Sequence, residues 1–187
     1  MANPGDFTAT WTVPLSDGVH KVQFEHGTTS GKRVIIVDGV EVFRKNWMFR
    51  LVGKESFQVG TKRAFVKIDA AGFVYEYTLN VDGKTLKKFV ENRRKTTKTW
   101  LPSLAGEHHR VVLEKDTLDV FVDGQPVETA GEFIDDGTET HFTIQNENGS
   151  SYSCVIKAFS SGKKKQGILH SLLVAGQEIP FIEEGDE

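Results

Sequence analysis

One cysteine, Cys154, is present among 187 residues, so no intrachain disulfide can form. Small secreted units usually depend on such bridges. Their absence points to a reducing compartment, read here as the cytoplasm. Also absent is any apolar run near the roughly 20 residues that a spanning helix needs. Met1 to Asp6 hold no apolar stretch of signal-peptide length, so membrane insertion is not expected. The motifs that announce common chemistries are missing too: no G-x-S-x-G elbow, P-loop, dinucleotide fingerprint or H-E-x-x-H occurs. The expectation is a chain without catalytic residues, metal ligands or cofactor.

What is abundant is strand pattern. Val22-Gln23-Phe24-Glu25 alternates apolar and polar residues. Arg33 to Val37 is β-branched, runs into Asp38-Gly39 and resumes at Val40-Glu41-Val42, which reads as a hairpin with a type I′ turn. Further strands are expected over Glu55–Val59, Ala64–Asp69 and Phe73–Val81, the last placing Phe73, Tyr75, Tyr77, Leu79 and Val81 on one face. No helix is evident in the first 83 residues. Strands return at Arg110–Glu114, Leu118–Val122, Glu139–Ile144, Tyr152–Lys157 and Ile168–Val174. Short strands punctuated by glycine and aspartate predict an all-β chain of sandwich-like units.

The two halves repeat. Val37-Asp38-Gly39 maps onto Val122-Asp123-Gly124, and Phe57 and Val59 map onto Phe142 and Ile144 at the same spacing. Val66-Lys67 then matches Ile156-Lys157, and Leu79 and Val81 match Leu172 and Val174. The spacing grows only in loops, where insertions cost little, and the apolar register is kept. The predicted organisation is two tandem β-domains related by internal duplication, at 1–88 and 104–187. A basic linker at 89–103 joins them, and a short acidic tail ends the chain.

Charge is unevenly shared. Residues 1–98 carry 17 Lys and Arg against 10 Asp and Glu, whereas residues 99–187 carry 6 against 16. Most of the positive excess is Lys84, Lys87, Lys88, Arg93, Arg94, Lys95 and Lys98. Such a cluster could bind nucleic acid, but no nucleic-acid motif accompanies it, so no such partner is expected. A solvated linker is one reading. Docking on the acidic second domain, including self-association between copies, is the other, and it would weaken with salt.

Other groups are read modestly. Cys154 lies in an apolar strand where nothing lowers its pKa. His108 and His109 point to opposite faces of a strand. His20 and His26 would lie roughly 20 Å apart along one. His141 and His170 are free to meet in space, but core or surface roles fit them better. Asp135-Asp136-Gly137 lacks the ligand alternation of a calcium loop and is read as a solvated or partner-facing acidic patch. Trp47 fits the core, which its apolar surroundings favour, or a contact surface. The candidate interaction surface is Trp47, Lys87, Lys88, Arg93, Arg94, Lys95, Lys98, Trp100, Asp135 and Asp136.

Several segments together resemble the Fas apoptotic inhibitory molecule family. They are Leu15–Arg33, Trp47–Glu55, Lys95-Thr96-Thr97-Lys98-Thr99-Trp100, Thr129–Phe142, Ser160–Lys164 and Glu178-Ile179-Pro180, in order along most of the chain. The loop Gln145–Ser151 looks longer than the family's usual connection, and the extreme termini depart from the family pattern. The resemblance implies two sandwich-like domains, a cytosolic location and no enzymatic activity. It implies opposition to death-receptor (Fas) apoptosis, with neurite outgrowth and protection against stress-induced protein aggregation also ascribed to the family. Partners would then be death-receptor signalling components and misfolded clients. It carries no defined binding residues. The alternative from the residues alone is a β-sandwich that binds a small lipid or sugar.

Overall fold

The computed structural model describes residues 6–163 and 167–183. The acidic tail beyond Glu183 lies outside them. The chain passes from one compact unit to the next between Arg93 and Arg94.

The first unit opens with a meander of four antiparallel strands: β1 (Asp6–Leu15), β2 (Gly18–Gly27), β3 (Arg33–Val37) and β4 (Val40–Lys45). A second meander follows in β5 (Gly53–Val59), β6 (Lys62–Ala71), β7 (Val74–Val81) and β8 (Lys84–Thr85). Alternation decides which side chains go inside. Val13, Leu15, Val22, Phe24 and Ile35 from the first sheet join Val59, Val66, Ile68, Leu79 and Val81 from the second in one core. Tyr75 and Tyr77 pack at its margin as their parity requires. Phe73 instead falls outside the strand, fully exposed. The Asp38-Gly39 turn has the expected geometry, with φ of 50° and 80°.

The segment read as a linker is regular structure. Helix α1 (Leu86–Thr96) buries Phe89 against the first core, with Leu86 and Val90 beside it. Spacings of one, three and four residues put these three on one helical stripe. The Lys and Arg residues that obscured this pattern occupy the rest of the helix. Strand β9 (Thr97–Trp100) then enters the second unit directly.

In that second unit β10 (Ser103–Leu104) and β11 (Glu107–His108) make a small hairpin. The chain continues through β12 (Val111–Glu114), β13 (Val120–Val122) and β14 (Gln125–Pro126). Next come β15 (Ala130–Ile134), β16 (Gly137–Gln145), β17 (Ser151–Ser160), β18 (Ile168–Val174), β19 (Gln177–Ile179) and β20 (Phe181–Ile182). One sheet has the order β14-β13-β12-β9-β20, the other the order β15-β16-β17-β18-β19. Their facing residues, among them Trp100, Val111, Leu113, Val120, Phe142, Ile144, Cys154, Ile156 and Leu172, form a separate core. The all-β expectation holds in both units.

Candidate interaction surface

The segment between β4 and β5 is the most unusual surface of the first unit. Trp47 is 67% exposed and Phe49 is 89% exposed, and their ring centroids lie 6.4 Å apart. Two large aromatics side by side in water forgo the roughly 1.5–3 kcal/mol that burying a large apolar side chain yields. Such a patch commonly marks a contact surface.

The loop is held in place from beneath. Arg33, on β3, is 2% exposed and donates from Nη1 to Glu55 Oε1 at 2.6 Å. Its Nη2 donates to the carbonyl oxygens of Arg50 at 2.8 Å and Val52 at 2.9 Å. One buried guanidinium thus ties β3, β5 and the far end of the aromatic loop together. At the near end the Met48 N–H donates to the Ser30 carbonyl at 3.0 Å. Gly31 makes that approach possible: its φ is +68°, and a Cβ there would fall on the Met48 carbonyl oxygen. Met48 is partly buried while its neighbours on either side are exposed.

Trp47 is therefore surface, against the core position its apolar surroundings favoured. The polar neighbours Asn46 and Arg50 were the signal. Phe49, its companion, was missed. The remaining candidates scatter. Lys87, Lys88, Arg94 and Lys95 are exposed on α1, and Arg93 lies half-buried with its Nη2 donating to Ser16 Oγ at 3.2 Å. Lys98 caps the Phe181 ring at 3.3 Å from its centroid. Burial, and then the charge of Lys115, hold its pKa below the usual lysine value. Trp100 is 1% exposed and belongs to the second core, so it is removed from the surface set. Lys98, two residues earlier on β9, shares its face of the strand but is only partly buried, at the Phe181 ring. Asp135 and Asp136 are exposed in the turn between β15 and β16.

A second arrangement, also missed, recurs in both units. His20 Nδ1 lies 2.7 Å from Asp38 Oδ2, and its Nε2 lies 3.1 Å from Asp17 Oδ1. The Lys21 N–H donates to Asp38 Oδ1 at 2.8 Å. In the second unit His109 Nδ1 lies 2.7 Å from Asp123 Oδ2, and the Arg110 N–H donates to Asp123 Oδ1 at 2.8 Å. His109 Nε2 reaches Asn146 Oδ1 at 3.0 Å, and Asn146 Nδ2 donates to the Leu104 carbonyl at 2.8 Å. With the amide so oriented, both ring nitrogens of His109 face acceptors. The same holds for His20, so each ring is placed to donate from both nitrogens when protonated. Burial alone would lower both pKa values. The hydrogen bonds to Asp38 and Asp17, and to Asp123 and Asn146, outweigh it and raise them. The sequence signal was a histidine two residues before an apolar strand position, Val22 or Val111, with Asp-Gly at the end of the next strand.

These histidines staple hairpins. Cys154 is buried, and burial pushes its thiol to about 11. His141 and His170 occupy opposite faces of their sheet, because Thr138 pairs with Ala158 and Ala158 with His170, three positions out of phase with His141.

The sequence matches the family model for Fas apoptotic inhibitory molecule over residues 7–182. It is 63% identical over 182 residues to Fas apoptotic inhibitory molecule 1 of Bos taurus, covering 96% of this chain and 88% of that protein. Identity to the proteins of the same name is 62% in Mus musculus and 59% in Homo sapiens. Each spans 180 residues, 95% of this chain and 98% of the relative. On a match of that extent, the chain belongs to the Fas apoptotic inhibitory molecule family.

Proposed function

We propose that this chain is a non-catalytic cytoplasmic protein that opposes Fas-mediated apoptosis and limits stress-induced protein aggregation by binding other proteins. The family and the names of its relatives support the first part. The observation that carries the binding mode is the Trp47–Phe49 pair, exposed and yet fixed by the buried Arg33. A preorganised aromatic pair binds without the cost of ordering a loose loop. Arg50 and Lys45 beside it suit a partner with an apolar cleft and an acidic rim. The basic face of α1 is read as a second, steering surface for acidic partners, including the acidic second unit of another copy.

The matched His–Asp staples support descent of both units from one duplicated ancestor. On that reading the copies kept their hairpin chemistry and diverged on their surfaces.

The test uses the purified double variant Trp47→Ala/Phe49→Ala. It is compared with the parent at substoichiometric ratio for suppression of a heat-aggregating client, and in cells for caspase activation after Fas ligation. Loss of both effects with unchanged thermal stability is the expected result. Equal protection by parent and variant would remove the loop from the reading.

A further inference from the structure

The edge hairpin of the second unit brings together three groups that no chemistry described so far uses. Glu132 on β15 and Glu139 on β16 are direct cross-strand partners. His141 follows Glu139 by two residues and therefore shares its face, the outer face of the sheet. Like charges set directly opposite each other on a sheet are destabilising, and at an edge strand nothing in the fold demands them.

The distances say more. His141 Nε2 lies 3.2 Å from Glu139 Oε2 and 3.7 Å from Glu132 Oε2. One ligand atom from each residue fits within a sphere of contact in which all lie within 4.8 Å of one another. Nε2 is sealed from solvent, and neither carboxylate oxygen makes a well-formed hydrogen bond with it. Two oxygens close to an imidazole nitrogen but off its hydrogen-bond direction are what a shared ion between them would produce. Zinc bonds of ~2.0–2.2 Å place tetrahedral ligands roughly 3.3–3.5 Å apart. The observed pair of separations brackets that value. The two carboxylate oxygens lie within 4.8 Å of each other, and Glu132, whose side chain is 68% exposed on an edge strand, is free to swing inward to complete the set.

Glu139 is also positioned for such a role. Lys157 Nζ, on β17, holds Glu139 Oε1 at 2.9 Å and leaves Oε2 turned toward His141. That is the outer-shell support expected of a ligating carboxylate. The hydrogen bond from Lys157 is also the first cause of the lowered pKa of Glu139.

We propose that Glu132, Glu139 and His141 form a three-ligand site for a divalent transition-metal ion of the zinc class, with water at the remaining position. Imidazole selects against magnesium and calcium, which favour all-oxygen shells. The ion neutralises the opposed carboxylates and fastens β15, whose five residues are all exposed, to β16. It would therefore hold an edge strand of the sheet in place.

The experiment is calorimetric titration of zinc sulfate into chelator-stripped, untagged full-length chain, with magnesium chloride as comparison. One zinc per chain is expected, with no magnesium uptake. His141→Ala and Glu132→Gln should each weaken zinc binding at least about ten-fold, while His108→Ala, an exposed histidine outside the cluster, should leave it unchanged. Both cluster positions are partly or largely exposed, and circular dichroism checks that the variants remain folded. In the parent, zinc should slow amide exchange across Ala130–Ile134. No zinc uptake at millimolar concentration, or uptake that survives both cluster variants, overturns the proposal. Binding without added protection of β15 overturns the fastening role.

Discussion

Arg33 and Glu55 meet at 2.6 Å inside the first unit, 22 residues apart in sequence and with side chains only 2% and 9% exposed. Removing one partner of such a pair leaves an uncompensated buried charge. Arg33→Met should therefore lower unfolding free energy by ~3–5 kcal/mol, read from denaturant melts. The double variant Arg33→Met/Glu55→Leu should recover much of that loss, because neither charge is then stranded. It should not restore the hydrogen bonds to Arg50 and Val52. Amides of residues 46–52 should exchange faster in the double variant than in the parent. If exchange is unchanged, Arg33 supports the body of the unit and not the aromatic loop.

How far these features were legible follows from the range of the forces behind them. Period-two alternation is local, so the strands around Val22–Phe24, Val66–Ile68 and Leu172–Val174 could be read directly. The helix at Leu86–Thr96 was hidden because only Leu86, Phe89 and Val90 carry its apolar stripe among many cations. Trp100 and Lys98 sit on one short strand, and four residues give too little pattern to tell inside from outside. The Arg33 tether was out of reach for another reason. It joins β3 to carbonyl groups of a loop, and carbonyls carry no sequence identity. Glu139 and His141 were visible as an alternation, but their partner Glu132 required the register of the β15–β16 hairpin.

The two His–Asp staples make stability depend on pH with a definite sign. His20 and His109 have pKa values raised above 6.5. Burial opposes the rise, but the hydrogen bonds to Asp38 and Asp123 lead the contributions that outweigh it. Raised histidine values contribute stability that is complete below pH 6.5 and lost as pH climbs through the folded values. Asp38 has the opposite shift. Burial would raise it, but His20 and the Lys21 amide lower it below 3.8, so its contribution is lost only on strong acidification. The first staple is therefore strongest between those two ordinary values. His170 acts against the trend: burial, then Lys115 and Lys98, lower its pKa, so its neutral form is favoured and acidification through 6.5 costs stability. Urea midpoints in the variant His170→Gln should fall as pH rises above 6.5. The decline should flatten in the triple variant His20→Gln/His109→Gln/His170→Gln. A triple variant that declines as steeply as His170→Gln would assign the trend to other groups.

Cys154 gives a clean reading of global opening. Its side chain is fully buried in the second core, and burial raises its thiol to about 11. Only the thiolate reacts, so at pH 8 both inaccessibility and protonation protect it. A disulfide exchange reagent should label no thiol in the native chain and one thiol per chain in denaturant. Rapid native labelling would show that the second unit opens far more readily than its packed core implies.

The two tryptophans that frame the basic segment in sequence should respond oppositely to truncation. Trp100 is 1% exposed among Val111, Leu113, Val120 and Phe142. Trp100→Ala removes its buried area and leaves a cavity that a two-sheet core cannot close without pulling strands from their partners. The cost should be ~3–5 kcal/mol. Trp47 is 67% exposed and touches chiefly Phe49, so Trp47→Ala should change unfolding free energy by no more than about 0.5 kcal/mol. Paired melts of the two variants separate structure from recognition. A protein that kept an exposed Trp47 for its own stability would lose it measurably on truncation. One that keeps it for a partner would melt like the parent and differ only when the partner is present.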